Sequence, residues 1–161
     1  METLAQGVIA ALKESGLTVA TCESLTGGMI ASTLVDVPGA SQVVRGGLVT
    51  YQTDTKTLLA GVPAALIAEK GVVSAEVARA MAEGARAKLQ SDIAVSATGM
   101  ASPGTKDEPP AGMVFVGVSS GRASRAIPLH LQGDRASIRR QSVEAALRAI
   151  LREANDWREA T

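Results

Sequence analysis

The chain has 161 residues, 46% hydrophobic but only 2% aromatic, so its core has to be built from aliphatic side chains. Lys plus Arg and Asp plus Glu both number 16, and the zero net charge disfavours nucleic acid as a partner. The single cysteine and single histidine exclude an internal disulfide and argue against a metal site.

Targeting and membrane signals are absent from the sequence. There is no secretory signal pattern, and no apolar run approaches membrane-spanning length. We therefore expect one cytoplasmic domain over residues 1–161, without a membrane association.

Predicted helices and strands alternate along the first half of the chain. Apolar residues three and four apart predict helices, and short apolar runs predict strands. The predicted elements are a helix ending at Gly16, a strand over 17–22, a helix over 27–37, a strand over 46–52, and a helix capped by Thr53 or Asp54 that ends at Gly61.

The second half predicts a strand hairpin between helices. Its elements are a helix capped by Ser74, a strand over 92–99, strands over 112–120 and 123–131 joined by a turn, and a helix capped by Asp134. This order is typical of an α/β fold. We expect a three-layer α/β/α domain with a mixed sheet and a C-terminal hairpin plus helix.

Three loops follow predicted strands, after Cys22, Tyr51 and Ala97, where open α/β sheets bind ligands. In the first loop, Ser24 precedes "LTGG" and a helix. The backbone amides of Thr26, Gly27 and Gly28 are candidate donors to an anion or oxyanion. The alternative is that Ser24 or Thr26 only caps the helix.

The second loop supplies Tyr51 and Lys56. A serine needs a base, and His130 is predicted on the wetter face of its strand, which disfavours a Ser-His-Asp triad. Lys56, in the opening turn of a helix, could be that base if its pKa is lowered. Otherwise Lys56 is a solvated surface lysine and Tyr51 packs in the core.

The third loop and the last helix offer further ligand contacts. Thr98 and the amide of Gly99 are candidate donors, or the loop is a flexible connection. Arginine suits a phosphate or carboxylate, and the last helix carries Arg135, Arg139 and Arg140, the last predicted as solvated. Cys22 itself is predicted to be a buried strand residue.

Five stretches together resemble the C-terminal domain of the competence/damage-inducible protein CinA. The resemblance covers nearly the whole chain in the same order. The stretches are "ESLTGG" at 23–28, "RGGLVTYQTDTKTLLAGV" at 45–62, "GVVSAEVARAMAEGA" at 71–85, "DIAVSATGMASPG" at 92–104 and "GDRASIRRQSVEAAL" at 133–147.

Stand-alone members of that family are nicotinamide-mononucleotide deamidases, so the resemblance implies a cofactor-free amidase that releases ammonia. It maps the serine nucleophile onto Ser24, the catalytic lysine onto Lys56 and the tyrosine onto Tyr51. It also places Thr98 and Arg139 at the site. It further implies a small-molecule nucleotide as substrate and a homo-oligomer, and larger members carry an additional N-terminal domain.

The sequence departs from the family pattern at three points. Leu25 stands where a cysteine usually follows the serine, Ser102 stands where a glycine is expected, and "EPPAG" replaces the usual "KPVG". Two alternatives to the deamidase stay open. One is a nucleotide-binding sensor that does not hydrolyse its ligand, and the other is an amidase for another small amide.

Overall fold

The computed structural model describes all residues from 1 to 161. The strands are β1 Val19–Glu23, β2 Val44–Val49, β3 Ile93–Gly99, β4 Met113–Ser120 and β5 Ser124–His130. The helices are α1 Glu2–Ser15, α2 Met29–Val35, α3 Thr53–Ala60, α4 Ala64–Lys70, α5 Ala75–Leu89 and α6 Arg135–Ala160, with a 3₁₀ turn at Ala40–Gln42.

The five strands form one open, mixed sheet in the order β2-β1-β3-β4-β5. β1 pairs parallel with both β2 and β3, whereas β4 and β5 pair antiparallel as a hairpin. The predicted α/β fold with a mixed sheet is therefore confirmed. Because β1, β2 and β3 are parallel, the three loops that follow them leave the sheet at the same edge.

Helices cover both faces of the sheet, and one hydrophobic core lies on each face. The larger core has 26 buried residues and joins the sheet to α1, α2 and α6. The smaller has 8 and joins it to α3 and α5. Along β1, Val19 belongs to the first core and Ala20 and Cys22 to the second, as the alternation of a strand requires.

Helix ends follow the predictions in most places. Ser74 and Asp134 cap α5 and α6 through their side chains, and Gly61 ends α3 in the left-handed conformation. The predicted cap of α3 is wrong, because Gln52 precedes that helix and caps it without a side-chain bond. α2 is shorter than predicted, and α4 is an additional helix, none of whose residues is buried.

α3 packs closely on α5. A Cβ on Gly84 of α5 would lie 1.7 Å from the carbonyl oxygen of Ala60, so only glycine allows this approach. Of all the helices, none combines the length and the apolar character needed to cross a bilayer.

Candidate active site

A serine and a lysine meet at the carboxyl end of β1. Ser24 follows that strand, and its amide donates to the carbonyl of Ala97 at the end of β3. Lys56 reaches it from α3, with Nζ 3.1 Å from Ser24 Oγ. The same Nζ donates to the carbonyls of Thr50 at 2.7 Å and Tyr51 at 3.4 Å.

Lys56 is almost completely buried, with 2% of its surface exposed, and Ser24 is 9% exposed. The alternative prediction, that Lys56 is a solvated surface lysine, is therefore wrong, and its catalytic role stays a prediction. No carboxylate lies within ion-pair distance of Lys56. Burial therefore lowers the pKa of its ammonium, an effect that the negative charge of a Cys22 thiolate would oppose.

The thiol of Cys22 supplies little of that opposing charge. It is fully buried, and burial raises its pKa to about 11, so it stays protonated at neutral pH. A neutral Lys56 can donate to the two carbonyls and present its lone pair to the Ser24 hydroxyl. This is the arrangement that a general base needs.

The turn from Ser24 to Gly28 leads into α2 and leaves backbone donors free. Gly27 donates its amide to the Ser24 carbonyl at 3.1 Å. Gly27 and Gly28 have φ angles of 59° and 101°, which favour glycine. The amides of Leu25, Thr26 and Gly28 have no acceptor within the chain. Two of the three amides predicted as free donors are therefore free, and Gly27 is not.

Glu23, the last residue of β1, ties the start of α2 to the sheet. Its carboxylate is 1% exposed and accepts the amides of Ile30 at 2.8 Å and Ala31 at 3.0 Å, the first residues of α2 after Met29. The Thr21 hydroxyl adds a longer bond at 3.3 Å. Glu23 is a functional residue that the sequence pattern does not reveal as such, although an acid near the start of a helix is a recognisable signal.

Ser24 and Lys56 line a cleft of about 370 Å³ that is formed by all three predicted loops. Both polar and apolar side chains line it. They are Ser24, Leu25, Tyr51, Thr53, Lys56, Val72, Val73, Thr98, Gly99, Met100, Ala101, Ser102, Pro103, Glu108 and Arg135.

Tyr51 stands at the mouth of the cleft, 57% exposed, and does not pack in the core. Its hydroxyl accepts from Nη2 of Arg135 at 3.1 Å, while Nη1 of the same arginine donates to Ser102 Oγ at 3.0 Å. The side-chain hydroxyl of Tyr51 thus bonds Arg135, whereas Lys56 bonds the backbone carbonyl of Tyr51. Arg135 is one of the three arginines that the sequence offers for a phosphate or carboxylate, whereas Ser102 is noted there only as a departure from the family pattern.

Thr98 and Gly99 lie in the cleft wall with contacts that explain their residue types. The Thr98 hydroxyl donates to the carbonyl of Val72 at 2.8 Å, which ties β3 to the segment before α5. A Cβ on Gly99 would come within 2.8 Å of β4, so this position requires glycine. Thr26 is fully buried, and its hydroxyl has no hydrogen-bond partner.

Arg139 does not line the cleft. Its Nε donates to the carbonyl of Leu25 at 2.9 Å and its Nη2 to that of Thr26 at 3.1 Å. That Arg139 binds substrate therefore stays a prediction, and Arg135 is the arginine on the cleft wall. Arg140 is exposed, as predicted.

These observations define a class of protein, an open-sheet α/β domain with a buried lysine against a serine where its parallel strands end. Comparison with known proteins gives the particular family. Residues 1–154 match the family model of the CinA C-terminal domain. The chain belongs to the CinA C-terminal domain family.

Relatives and solved structures agree with this assignment. A putative competence-damage inducible protein of Limosilactobacillus reuteri is 43% identical over 154 residues, which cover 94% of this chain and 37% of that protein. A CinA-like protein of Geotalea daltonii is 44% identical over 153 residues, with the same coverage of both chains. The chain therefore spans just over a third of the length of these relatives.

Two crystal structures show the same fold. The competence/damage inducible protein CihA from Agrobacterium tumefaciens has a TM-score of 0.90 at 35% identity, covering 96% of this chain and 94% of that chain. A CinA superfamily protein from Klebsiella pneumoniae has a TM-score of 0.92 at 27% identity, covering 97% and 98%.

Proposed function

We propose that this chain is an amidase that deamidates nicotinamide mononucleotide to nicotinate mononucleotide through a Ser24 nucleophile and a Lys56 base. The observation that carries the proposal is the 3.1 Å contact between Lys56 Nζ and Ser24 Oγ at the base of a cleft. A buried lysine without a carboxylate partner is costly to stability, and such residues cluster where chemistry needs them.

In the first half-reaction, Ser24 Oγ attacks the carboxamide carbon and its proton passes to Lys56. The oxygen of the tetrahedral intermediate would be met by the free amide of Leu25, which lines the cleft. One such donor is worth about 3 kcal/mol in a well-studied protease. Lys56 then returns the proton to the departing nitrogen, and ammonia leaves an acyl-enzyme ester on Ser24.

In the second half-reaction, water attacks that ester and Lys56 accepts the proton of the water. The carbonyl re-forms as Ser24 leaves with the proton held by Lys56. Nicotinate mononucleotide is released and the pair returns to its starting state. Tyr51 would orient Lys56 through its carbonyl and the substrate through its side chain.

The charges at the cleft mouth suit a substrate that carries a phosphate. Arg135 uses one Nη1 and one Nη2 contact within the chain, and its planar guanidinium retains donors for a phosphate oxygen. Glu108 lines the same cleft and forms no ion pair, so it complements the positive charge of a pyridinium ring. A monomer suffices for these contacts, and the homo-oligomer stays a prediction.

The test is ammonia release from nicotinamide mononucleotide by the purified protein, alongside Ser24→Ala and Lys56→Met. We expect release by the wild type and a loss of at least about 100-fold in each variant. Release by Ser24→Ala at the wild-type rate would reject the nucleophile. Ser102 stands where the family has a glycine, and it bonds Arg135 on the cleft wall. Because this change lies in the cleft, the assay should also include other nucleotide and nucleoside amides as substrates.

A further inference from the structure

We infer that Arg139 is a positioning residue for the oxyanion donors behind Ser24, and that it does not bind substrate. The inference rests on the proposed function, because that function supplies the oxyanion. The contacts of Arg139 from which it is argued do not depend on that function. Arg139 is half-buried on α6 and contacts the turn after β1 from a distance of 113 and 114 residues along the chain.

The guanidinium bonds two successive carbonyls of the turn. Nε and Nη2 point at the oxygens of Leu25 and Thr26, 2.9 and 3.1 Å away. Nη2 also lies against Gly27, where a Cβ would be 3.5 Å from it. This arrangement uses the fork geometry of arginine, which a lysine cannot reproduce with one ammonium group.

The contact with the Leu25 carbonyl fixes the orientation of the whole peptide group between Leu25 and Thr26. No peptide bond in the chain is cis, and in a trans peptide the C=O and N–H point in opposite directions. Because the Leu25 carbonyl points at Arg139, the Thr26 amide of the same peptide points away from it. Thr26 itself is fully buried, but fixing this peptide also fixes the residue before it, Leu25, which lines the cleft and whose own amide has no acceptor within the chain.

Glu23 holds the other end of the same segment through Ile30 and Ala31. The turn that carries Ser24 is therefore fixed from α6 on one side and from β1 on the other.

A positioning role and a substrate-binding role predict different kinetics. We would measure kcat and KM for Arg139→Gln and Arg139→Lys with nicotinamide mononucleotide and with nicotinamide riboside, which lacks the phosphate. Arg140→Gln, one residue along the same helix and exposed, is the matched control. Arg135→Gln is the comparison for an arginine on the cleft wall.

The inference predicts that Arg139→Gln lowers kcat by about 10- to 100-fold for both substrates and changes KM by less than about twofold. Arg139→Lys should recover part of the loss, and it keeps the test available if the glutamine variant fails to fold. Arg135→Gln should raise KM for the nucleotide only. A selective rise of the nucleotide KM in Arg139→Gln would overturn the inference.

A second readout does not depend on the substrate. A phosphonofluoridate reacts with an activated serine by forming an O–P bond as fluoride leaves and the serine proton passes to the base. Arg139→Gln should label at Ser24 at least about tenfold more slowly than Arg140→Gln. Equal rates would overturn the inference even if the wild type releases no ammonia from nicotinamide mononucleotide, a result that would reject the proposed function alone.

Discussion

Two buried charged side chains lie at opposite ends of the sheet, and the fold treats them differently. Lys56, 2% exposed, contacts only the neutral oxygens of Ser24, Thr50 and Tyr51. Glu153, 3% exposed, accepts from Arg125 at 2.9 Å and from the Ser120 hydroxyl at 2.5 Å. The second cluster lies beside the turn of the β4-β5 hairpin.

The difference separates a charge that the fold compensates from the one that the proposed mechanism uses. At the hairpin, the cation and hydroxyl compensate Glu153 for the loss of water, so removing its partners costs stability. At the cleft, nothing of opposite charge compensates Lys56, and its pKa falls. Lys56 therefore loses its proton more readily than a solvated lysine does.

The largest expected effect comes from removing the uncompensated lysine. Lys56→Met keeps the volume of the side chain but removes the base, and we expect kcat for ammonia release to fall about 10²- to 10⁴-fold. Lys70→Met, at the exposed end of α4, is the control and should retain wild-type kcat. An active Lys56→Met would assign the base to another group.

Removing Glu153 should lower stability and leave activity unchanged. Glu153→Ala leaves the Arg125 guanidinium and the Ser120 hydroxyl without their acceptor, so we expect a loss of about 3 kcal/mol in the free energy of unfolding and an unchanged kcat. Chemical denaturation and ammonia release measure the two quantities.

Glu144→Ala is the matched control for that variant. Glu144 pairs with Arg148 at 2.8 Å on the exposed surface of α6, and such pairs contribute less than about 1 kcal/mol. If Glu153→Ala lowers kcat as strongly as Lys56→Met does, the two residues do not have the different roles assigned to them.

Activity should follow the protonation of Lys56 with pH. The base must be neutral, so kcat/KM is expected to rise by up to about tenfold per pH unit until the pH passes the pKa of Lys56. Because burial lowers that pKa, the rise should level off below pH 10.5, the ordinary value for lysine. A profile that falls with pH across this range would contradict a lysine base.

Stability should show the same titration with a smaller effect. The unfolded chain holds its lysine proton to higher pH than the folded chain does, so the free energy of unfolding rises with pH between the two pKa values. Relative to Lys56→Met, the wild type should therefore gain stability in that window, by at most about 1.4 kcal/mol per pH unit. Denaturation of both proteins at several pH values measures the difference, and a constant difference would contradict a lowered pKa.

The sequence predicted the parts of the site that depend on local pattern. Strand periodicity and the sheet rule brought the loops after Cys22, Tyr51 and Ala97 to one edge, and the structure confirms that they share a cleft. The caps Ser74 and Asp134 followed from side chains that bond their own helix.

Contacts between distant segments could not be predicted in this way. Arg135 and Arg139 lie on the same helix four residues apart, and only the crossing of α6 over the first loop decides that one lines the cleft and the other holds the turn. The burial of Lys56 likewise involves contacts between distant segments, since its ammonium group reaches Ser24, 32 residues away. Neither is encoded in residue spacing.

The most direct test of the Ser24–Lys56 pair is to trap the covalent intermediate. Wild-type protein would be mixed with nicotinamide mononucleotide, quenched in acid within the first turnover, and digested for mass spectrometry. We predict a nicotinoyl-nucleotide ester on the peptide that contains Ser24, absent from Ser24→Ala and from Lys56→Met. Ammonia release at the wild-type rate by Ser24→Ala, with no adduct on the wild type, would contradict the mechanism.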